Sequence, residues 1–309
     1  MRVGIVGCGR MGNERARALR QLGAELVFCC DTDLSRATQL AALHPRARAL
    51  RTVDGIDWSS INALFVCTPP AMRGPVELTC VRAGVSLFVE KPVGVEAAQC
   101  APIVDALRSQ PVINAVGYMH RCRNSVQHVR SLTASRNLLA IACVWIGRMY
   151  QVPWWLDEGS SGGPFNEQGT HLIDLCRYWG GDVDTIASVE WRPTMSKVAY
   201  GIATSIRLSR GCVATVLYNC QANEKDISVQ VFTDQGAVVL RGWDLRLERN
   251  TVDGIFPAEE GEEIFVKETR SFLDAVSLRD QSVINCDFAE AYKTQVAVDA
   301  ARAATQPVR

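Results

Sequence analysis

The sequence predicts an α/β protein, with an N-terminal Rossmann-type, doubly wound parallel sheet followed by a C-terminal α+β domain with a large, mainly antiparallel sheet. Three observations carry that prediction. Apolar runs alternate with helical stretches over the first 120 residues, and a glycine-rich turn follows the first run. Beyond residue 120 the alternation gives way to long strands joined by short turns. At 309 residues the chain is long enough for two domains, read as 1–120 and 121–309.

The first strand, Val3-Gly4-Ile5-Val6, runs into Gly7-Cys8-Gly9-Arg10-Met11-Gly12, and a helix over 10–22 closes at Gly23. In such a turn the first glycine permits the tight bend and the second lets the backbone approach a pyrophosphate. The third lets helix and strand pack closely. Free N–H groups at the helix start then face the phosphates. The second strand, 25–30, ends at Asp31, nineteen residues after Gly12. That is close to the ~20 expected of the acid that grips an adenosine ribose. A carboxylate there repels a 2′-phosphate and so favours NAD, although Asp31 or Asp33 can equally cap the next helix. Arg36 can lie over the adenine or reach a 2′-phosphate, which leaves NADP use open.

The buried strand 61–67 ends in Cys67-Thr68-Pro69-Pro70, a rigid turn that either lines a nicotinamide pocket or simply reverses the chain. A helix over 71–83 closes at Gly84. The apolar run 85–89 then delivers Glu90-Lys91-Pro92 to the carboxyl end of its strand, where ligands of such sheets bind. An ammonium at that point can donate to a substrate oxygen. A helix over 96–107 and a strand over 112–116 complete the alternation.

In the second domain a helix over 122–135 leads to a strand over 138–147. Strands follow at 201–208, 211–220, 228–233, 237–241 and 244–249, and the chain closes on a helix over 290–304. Tight connections such as Ser209-Arg210-Gly211 predict an antiparallel meander. The alternation from Ile202 to Leu208 predicts one buried face, the other being solvated or a subunit interface. Between these strands lie Trp154 and Trp155, which suit packing on a sugar or cyclitol ring as well as they suit a core. Asn166, Glu167, His171 and Asp174 follow. If their segment is helical, Glu167 and His171 share a face, where a carboxylate can orient an imidazole for acid–base work, with Asp174 holding the ring from the other side.

Thirty-three basic residues balance thirty-three acidic ones and are scattered along the chain, so nothing points to nucleic acid or to a membrane. Without an N-terminal apolar signal core, a cytoplasmic location is expected. Twelve cysteines lie mostly in apolar runs with no Cys-x-x-Cys pair, which predicts buried free thiols and no metal site. Cys8, in the phosphate turn, is the one whose oxidation would block cofactor binding.

Taken together, the glycine turn, Cys67-Thr68-Pro69-Pro70, Glu90-Lys91-Pro92, Gly117-Tyr118-Met119-His120-Arg121, and Gly162-Gly163 with Glu167, His171 and Asp174 resemble the Gfo/Idh/MocA oxidoreductases over essentially the whole chain. The resemblance implies NAD(P)-dependent hydride transfer at a secondary alcohol or ketone of a sugar, cyclitol or related polyol. It implies Lys91 and His171 as catalytic residues with Glu167 beside them. Tyr118, Trp154, Trp155 and Asn166 are expected at the substrate. The turn residues Gly7, Cys8, Gly9, Arg10, Met11 and Gly12, together with Asp31, Arg36, Cys67, Thr68, Pro69 and Glu90, are expected at the cofactor. A small-molecule substrate and a homo-oligomer, dimer or tetramer, are also implied. Glu167 stands where relatives often carry aspartate, and Pro164 replaces a third glycine; both departures bear on substrate rather than reaction. Three further readings remain open: an enzyme that retains its NAD and oxidises a sugar transiently, a non-catalytic NAD(P)-sensing regulator, and a metal-dependent enzyme using Glu167, His171 and Asp174.

Overall fold

Short apolar runs such as Ala63–Val66 and Ser86–Val89 are buried on nearly every side, as a parallel sheet covered by helices on both faces requires. In the computed structural model, which describes residues 1–150, 152–252 and 261–303, these runs belong to a six-stranded sheet. Its elements are β1 (Arg2–Val6), α1 (Arg10–Gln21), β2 (Glu25–Cys30), α2 (Leu34–Ala41), β3 (Arg48–Leu50), β4 (Ala63–Val66), α3 (Pro75–Arg82), β5 (Ser86–Val89), α4 (Ala97–Ser109) and β6 (Asn114–Val116). All pairings are parallel, in the order β3-β2-β1-β4-β5-β6. The order reverses between β1 and β4, which makes their carboxyl ends the switch point at which such sheets bind ligands. The expected Rossmann sheet is present. β3 was not expected; three residues, one exposed and two half-exposed, carry no readable period.

The chain forms two compact units: Met1–Met119 with Glu262–Tyr292, and His120–Gly261 with Lys293–Arg309. In the second unit come α5 (Asn124–Ser135), β7 (Leu138–Arg148), α6 (Glu158–Ser161), a π-helical turn over Phe165–Gly169, and α7 (Thr170–Gly180). Then follow β8 (Val183–Trp191), β9 (Gly201–Leu208), β10 (Val213–Asn219), β11 (Gln221–Thr233), β12 (Gly236–Arg241) and β13 (Arg246–Asn250). The seven strands lie in the order β13-β12-β11-β7-β10-β9-β8, antiparallel except for the parallel pair β7–β10. β9 alternates buried and exposed as its sequence predicts. β8 escaped the sequence reading because its exposed positions follow no clean period. Every residue of α7 is buried, so this helix is enclosed on all sides rather than amphipathic.

Two helices complete the chain, α8 (Ile264–Leu278) and α9 (Phe288–Ala303); Ala304, the expected last residue of α9, lies outside the described residues. The segment carrying α8 belongs with the first unit, a return that the sequence pattern does not signal. Its inward stripe includes the buried polar residues Glu268 and Thr269 between apolar ones, which breaks the hydrophobic period. Those two residues meet Arg15 of α1. Arg15 is fully buried; its Nε donates to Glu90 Oε1 (2.7 Å), its Nη2 to Glu268 Oε2 (2.5 Å) and its Nη1 to Thr269 Oγ1 (3.1 Å). The guanidinium also lies 4.4 Å from the Phe88 ring centroid, within cation–π range. Gly117 is required beside this cluster, since a Cβ there would come within 2.8 Å of Glu90 Oε2.

Burial pushes the Glu268 carboxyl up from 4.5 to about 7 against the pull of Arg15, with Glu90 adding to the rise. Between those two values the folded state holds more protons than the unfolded one, so this residue makes stability fall as pH rises. Urea unfolding between pH 4.5 and 7 should show Glu268→Gln losing less stability over that window than the wild type, by roughly 3 kcal/mol. Parallel profiles would show that Glu268 titrates normally.

Candidate functional site

The glycine turn between β1 and α1 shows a different reason for each glycine. Gly7 has φ +94°, and a side chain on it would press on the Cys67 carbonyl carbon at 2.6 Å. A side chain on Gly12 would collide with the Gly7 carbonyl oxygen, so α1 approaches the turn as closely as backbone allows. Gly9 has nothing within 4 Å of where a Cβ would stand. That open space lies at the first residues of α1, Arg10 and Met11, where helix N–H groups favour anions. Asn13, which the sequence reading passed over, pins the turn by donating to the carbonyls of Cys8 (3.0 Å) and Gly9 (2.9 Å).

Asp33, not Asp31, takes the capping role that the sequence left open to either. Asp33 caps α2 through the Ser35 N–H and pairs with the exposed Arg36 at 3.4 Å. Asp31 accepts from Cys8 N with Oδ2 (2.8 Å) and from Asp33 N with Oδ1 (2.9 Å). It therefore stands at the end of β2 against the turn, and each oxygen keeps a lone pair for a further donor. Cys8 is 3% exposed, and its thiol is pushed far up by its hydrogen bond to Cys29 and by burial. A thiol held protonated is a poor nucleophile, which disfavours the thiolate through which Cys8 would be oxidised. Cys67 is pushed up to about 12 by burial, with Glu90 adding to it.

At the ends of β4 and β5, Arg73 acts as a staple: Nη1 donates to the Val66 carbonyl (3.2 Å) and to Thr68 Oγ1 (3.0 Å), and Nη2 to the Glu90 carbonyl (2.8 Å). Pro69 and Cys67 flank Thr68 half-exposed. The Glu90 carboxylate, expected at the cofactor, is instead committed to Arg15. Glu90 is thus held by its backbone on one side and its side chain on the other, and half-exposed Lys91 follows it directly, joined to Pro92 by a cis peptide.

In the second unit the π-helical turn carries Glu167 and leads straight into His171 of α7, both buried. Such turns are rare and frequent at functional sites. An aromatic wall surrounds His171. Trp145 stacks on it at 5.8 Å and 5°, and His120 and Trp243 meet it edge-on at 5.0 and 6.2 Å. His120 in turn accepts at Nδ1 from Arg123 Nε (3.0 Å). Sequence reasoning missed Trp145, Trp243 and Arg123 because only the sheet pairing brings β7 and the turn after β12 to α7.

Three expectations need correction. Asp174 does not hold the His171 ring: it takes a two-pronged bond from Arg121 (2.9 and 2.7 Å) and accepts from Thr294 Oγ1 (3.0 Å). Tyr118 and Trp155, expected at substrate, are 1% and 2% exposed and sit in the hydrophobic cores of their units. Asn166 is spent on the Ser161 carbonyl (2.7 Å) and on Gln295 Nε2 (2.9 Å). Trp154 stays half-buried against the same core as Trp155.

Residues 1–118 match the model of an oxidoreductase family with an NAD-binding Rossmann fold, GFO_IDH_MocA, and residues 121–229 match an oxidoreductase C-terminal domain. The protein UNK4.17 of Schizosaccharomyces pombe is 30% identical over 75% of this chain and 67% of its own length. Inositol 2-dehydrogenase 2 of Saccharopolyspora erythraea is 30% identical over 58% of this chain, and the match spans about half (53%) of that enzyme. Among solved structures, UDP-N-acetylglucosamine 3-dehydrogenase GnnA from Acidithiobacillus ferrooxidans superposes with a TM-score of 0.87 at 18% identity, covering 99% of this chain and 97% of that one.

The glycines give a paired test. Gly9→Ala should fold with stability within about 1 kcal/mol of wild type yet bind NAD roughly tenfold or more weakly by calorimetry, because its methyl fills the space a pyrophosphate needs. Gly12→Ala should lose both stability and binding.

Proposed function

Because this chain belongs to the Gfo/Idh/MocA family of NAD-binding oxidoreductases, we propose that it is an NAD(P)-dependent dehydrogenase acting on a secondary alcohol or ketone of a sugar, cyclitol or related polyol. The observation that carries this reading is the turn at the switch point. Its close approaches are filled by backbone everywhere except above Gly9, which fits the pyrophosphate of a dinucleotide. Asp31, at the end of β2, is the residue for the adenosine ribose and favours NAD. Arg36, already paired with Asp33, is less suited to a 2′-phosphate. Gly7 to Gly12, Cys67, Thr68, Pro69 and the backbone of Glu90 complete the cradle.

Bound nicotinamide supplies the hydride chemistry, and the chain supplies alignment and charge. On this reading His171 takes the hydroxyl proton, and its stacking on Trp145 fixes the ring plane for that transfer. Lys91 donates to a substrate oxygen as negative charge develops on it. Glu167 orients the imidazole or a neighbouring substrate hydroxyl. Of the residues expected at substrate, Trp154 remains the candidate for ring packing. Tyr118, Trp155 and Asn166 become supports.

No helix among the described residues is long and apolar enough to cross a membrane. All twelve cysteines are free and eleven are buried, which supports a reducing, cytoplasmic setting. Homo-oligomerisation finds support in the sheet face opposite the core. The paired positions Val189, Ala203, Leu217 and Val144 form one cross-strand row, with Val189 63% and Leu217 47% exposed. A contiguous apolar row of this kind suits a second copy of the chain.

Reduction of NAD and of NADP, followed by near-ultraviolet absorbance over polyols, cyclitols and sugars, tests the activity. His171→Ala should lose about 10²–10⁴ in kcat and Lys91→Ala about 10²–10³. Unchanged turnover in either variant would remove that residue from the mechanism. Light scattering should find a dimer or tetramer that Leu217→Glu converts to smaller species.

A further inference from the structure

We infer that Lys225 is a specificity-determining residue that recognises an oxyanion on the substrate, so that the preferred substrate is an anionic sugar or cyclitol derivative, a carboxylate or a phosphoryl ester, rather than a neutral polyol. This inference rests on the dehydrogenase reading for the reaction but on separate residues for the charge.

The argument begins with a break in the sheet. Gln221 pairs with Arg148 and Asp226 with Ile146, so β11 spends residues 222–225 against the single residue Gly147 of β7. A bulge of this size bends the strand and re-aims a side chain. The side chain re-aimed is Lys225. Its stem lies over Gly147, where a Cβ would already touch Lys225 Cγ at 3.6 Å. Its ammonium reaches 4.5 Å from the Trp243 ring centroid and 5.4 Å from that of Trp145. Those indoles meet at 88°, so one cation lies within reach of two perpendicular rings. Trp145 is also the ring on which His171 stacks. The lysine and the candidate proton acceptor therefore share one aromatic wall, both within the second unit.

The second point is the missing counter-charge. The adjacent acid, Asp226, is taken by Arg241 at 2.9 Å. Among the described residues no carboxylate lies within ion-pair distance of Lys225. Partial desolvation of the ammonium lowers its proton affinity, which is the state a partnering anion would relieve. Indole faces attract a cation without neutralising it. Lys225 is an exposed residue, open to a solute from solvent, and its head lies over the rings beside His171.

The test is tryptophan fluorescence with NAD present, since Trp145 and Trp243 contact the proposed subsite. Matched pairs are titrated: glucose against glucuronate and glucose 6-phosphate, and inositol against inositol phosphate. In wild type at least one anionic member should bind about 10- to 100-fold more tightly than its neutral partner. The uronate and phosphate arms tell the two oxyanions apart. Lys225→Met, which keeps the stem and removes the charge, should bring that ratio close to one, and Lys225→Arg should restore part of it. A panel in which no anion outbinds its neutral partner, or a preference that survives Lys225→Met, overturns the inference. Nicotinamide reduction is read separately on the same ligands. Charge-dependent binding without turnover would sink the dehydrogenase reading and leave the subsite standing; turnover of neutral and anionic members alike would do the reverse.

Discussion

A guanidinium enclosed between two carboxylates organises the first unit. Arg15 lies on the helix that the glycine turn starts, Glu90 directly precedes Lys91, and Glu268 lies on a helix that returns late in the chain. One side chain thereby ties the dinucleotide turn, the strand end that bears the lysine, and the helix α8. Its planar fork serves both carboxylates and Thr269 at once, which a lysine point charge could not do with fixed geometry. Burying three ionisable groups is costly unless each is paired, and here the cost is reduced by the raised Glu268 and by the Phe88 face. The cluster is thus a constraint on geometry more than a reservoir of stability.

The second unit solves a related problem with rings. His171 must be held in a fixed orientation if it is to exchange a proton. Stacking on Trp145 contributes to this by fixing the ring plane. The salt bridge nearby, Arg121 with Asp174, is turned to another task. With Thr294 it fastens α7 to the segment before α5 and to α9. Asn166, Gln168 and Gln295 are likewise spent in bonds to Ser161, Tyr218 and one another. The π-helical turn is therefore braced on several sides, which lets its unusual winding persist.

The two arginine staples of the first unit share a logic. Arg15 and Arg73 approach Glu90 from its side chain and its carbonyl, respectively. The residue before Lys91 is consequently fixed in direction as well as position. Preorganisation of this kind is what lets a cationic donor stabilise charge without rearranging during reaction. Most of the cysteines, by contrast, fill the core; a hydrogen bond to Cys29 and burial push the Cys8 thiol up, and burial does the same for Cys80, which disfavours their thiolates.

Much of the fold was legible in the sequence because it rests on local rules. Gly7, Gly9 and Gly12 at fixed spacing after an apolar run, Asp31 at the next strand end, and the period-2 pattern from Ile202 to Leu208 each reflect backbone geometry that neighbours in sequence impose. Lys91 just after a buried strand was legible for the same reason. Tertiary structure alone decided which polar groups had partners. Glu90 belongs to Arg15, Asp174 to Arg121, and Tyr118 and Trp155 to hydrophobic cores, because contacts between residues far apart in sequence settled each one. The late return of α8 was hidden by the very Glu268 that makes it necessary. Lys225 was invisible too, since only a bulge opposite Gly147 carries it to two indoles from other strands and turns. Sequence records the conformations a chain prefers over a few residues; the balance of buried charge is set only when distant segments close on one another.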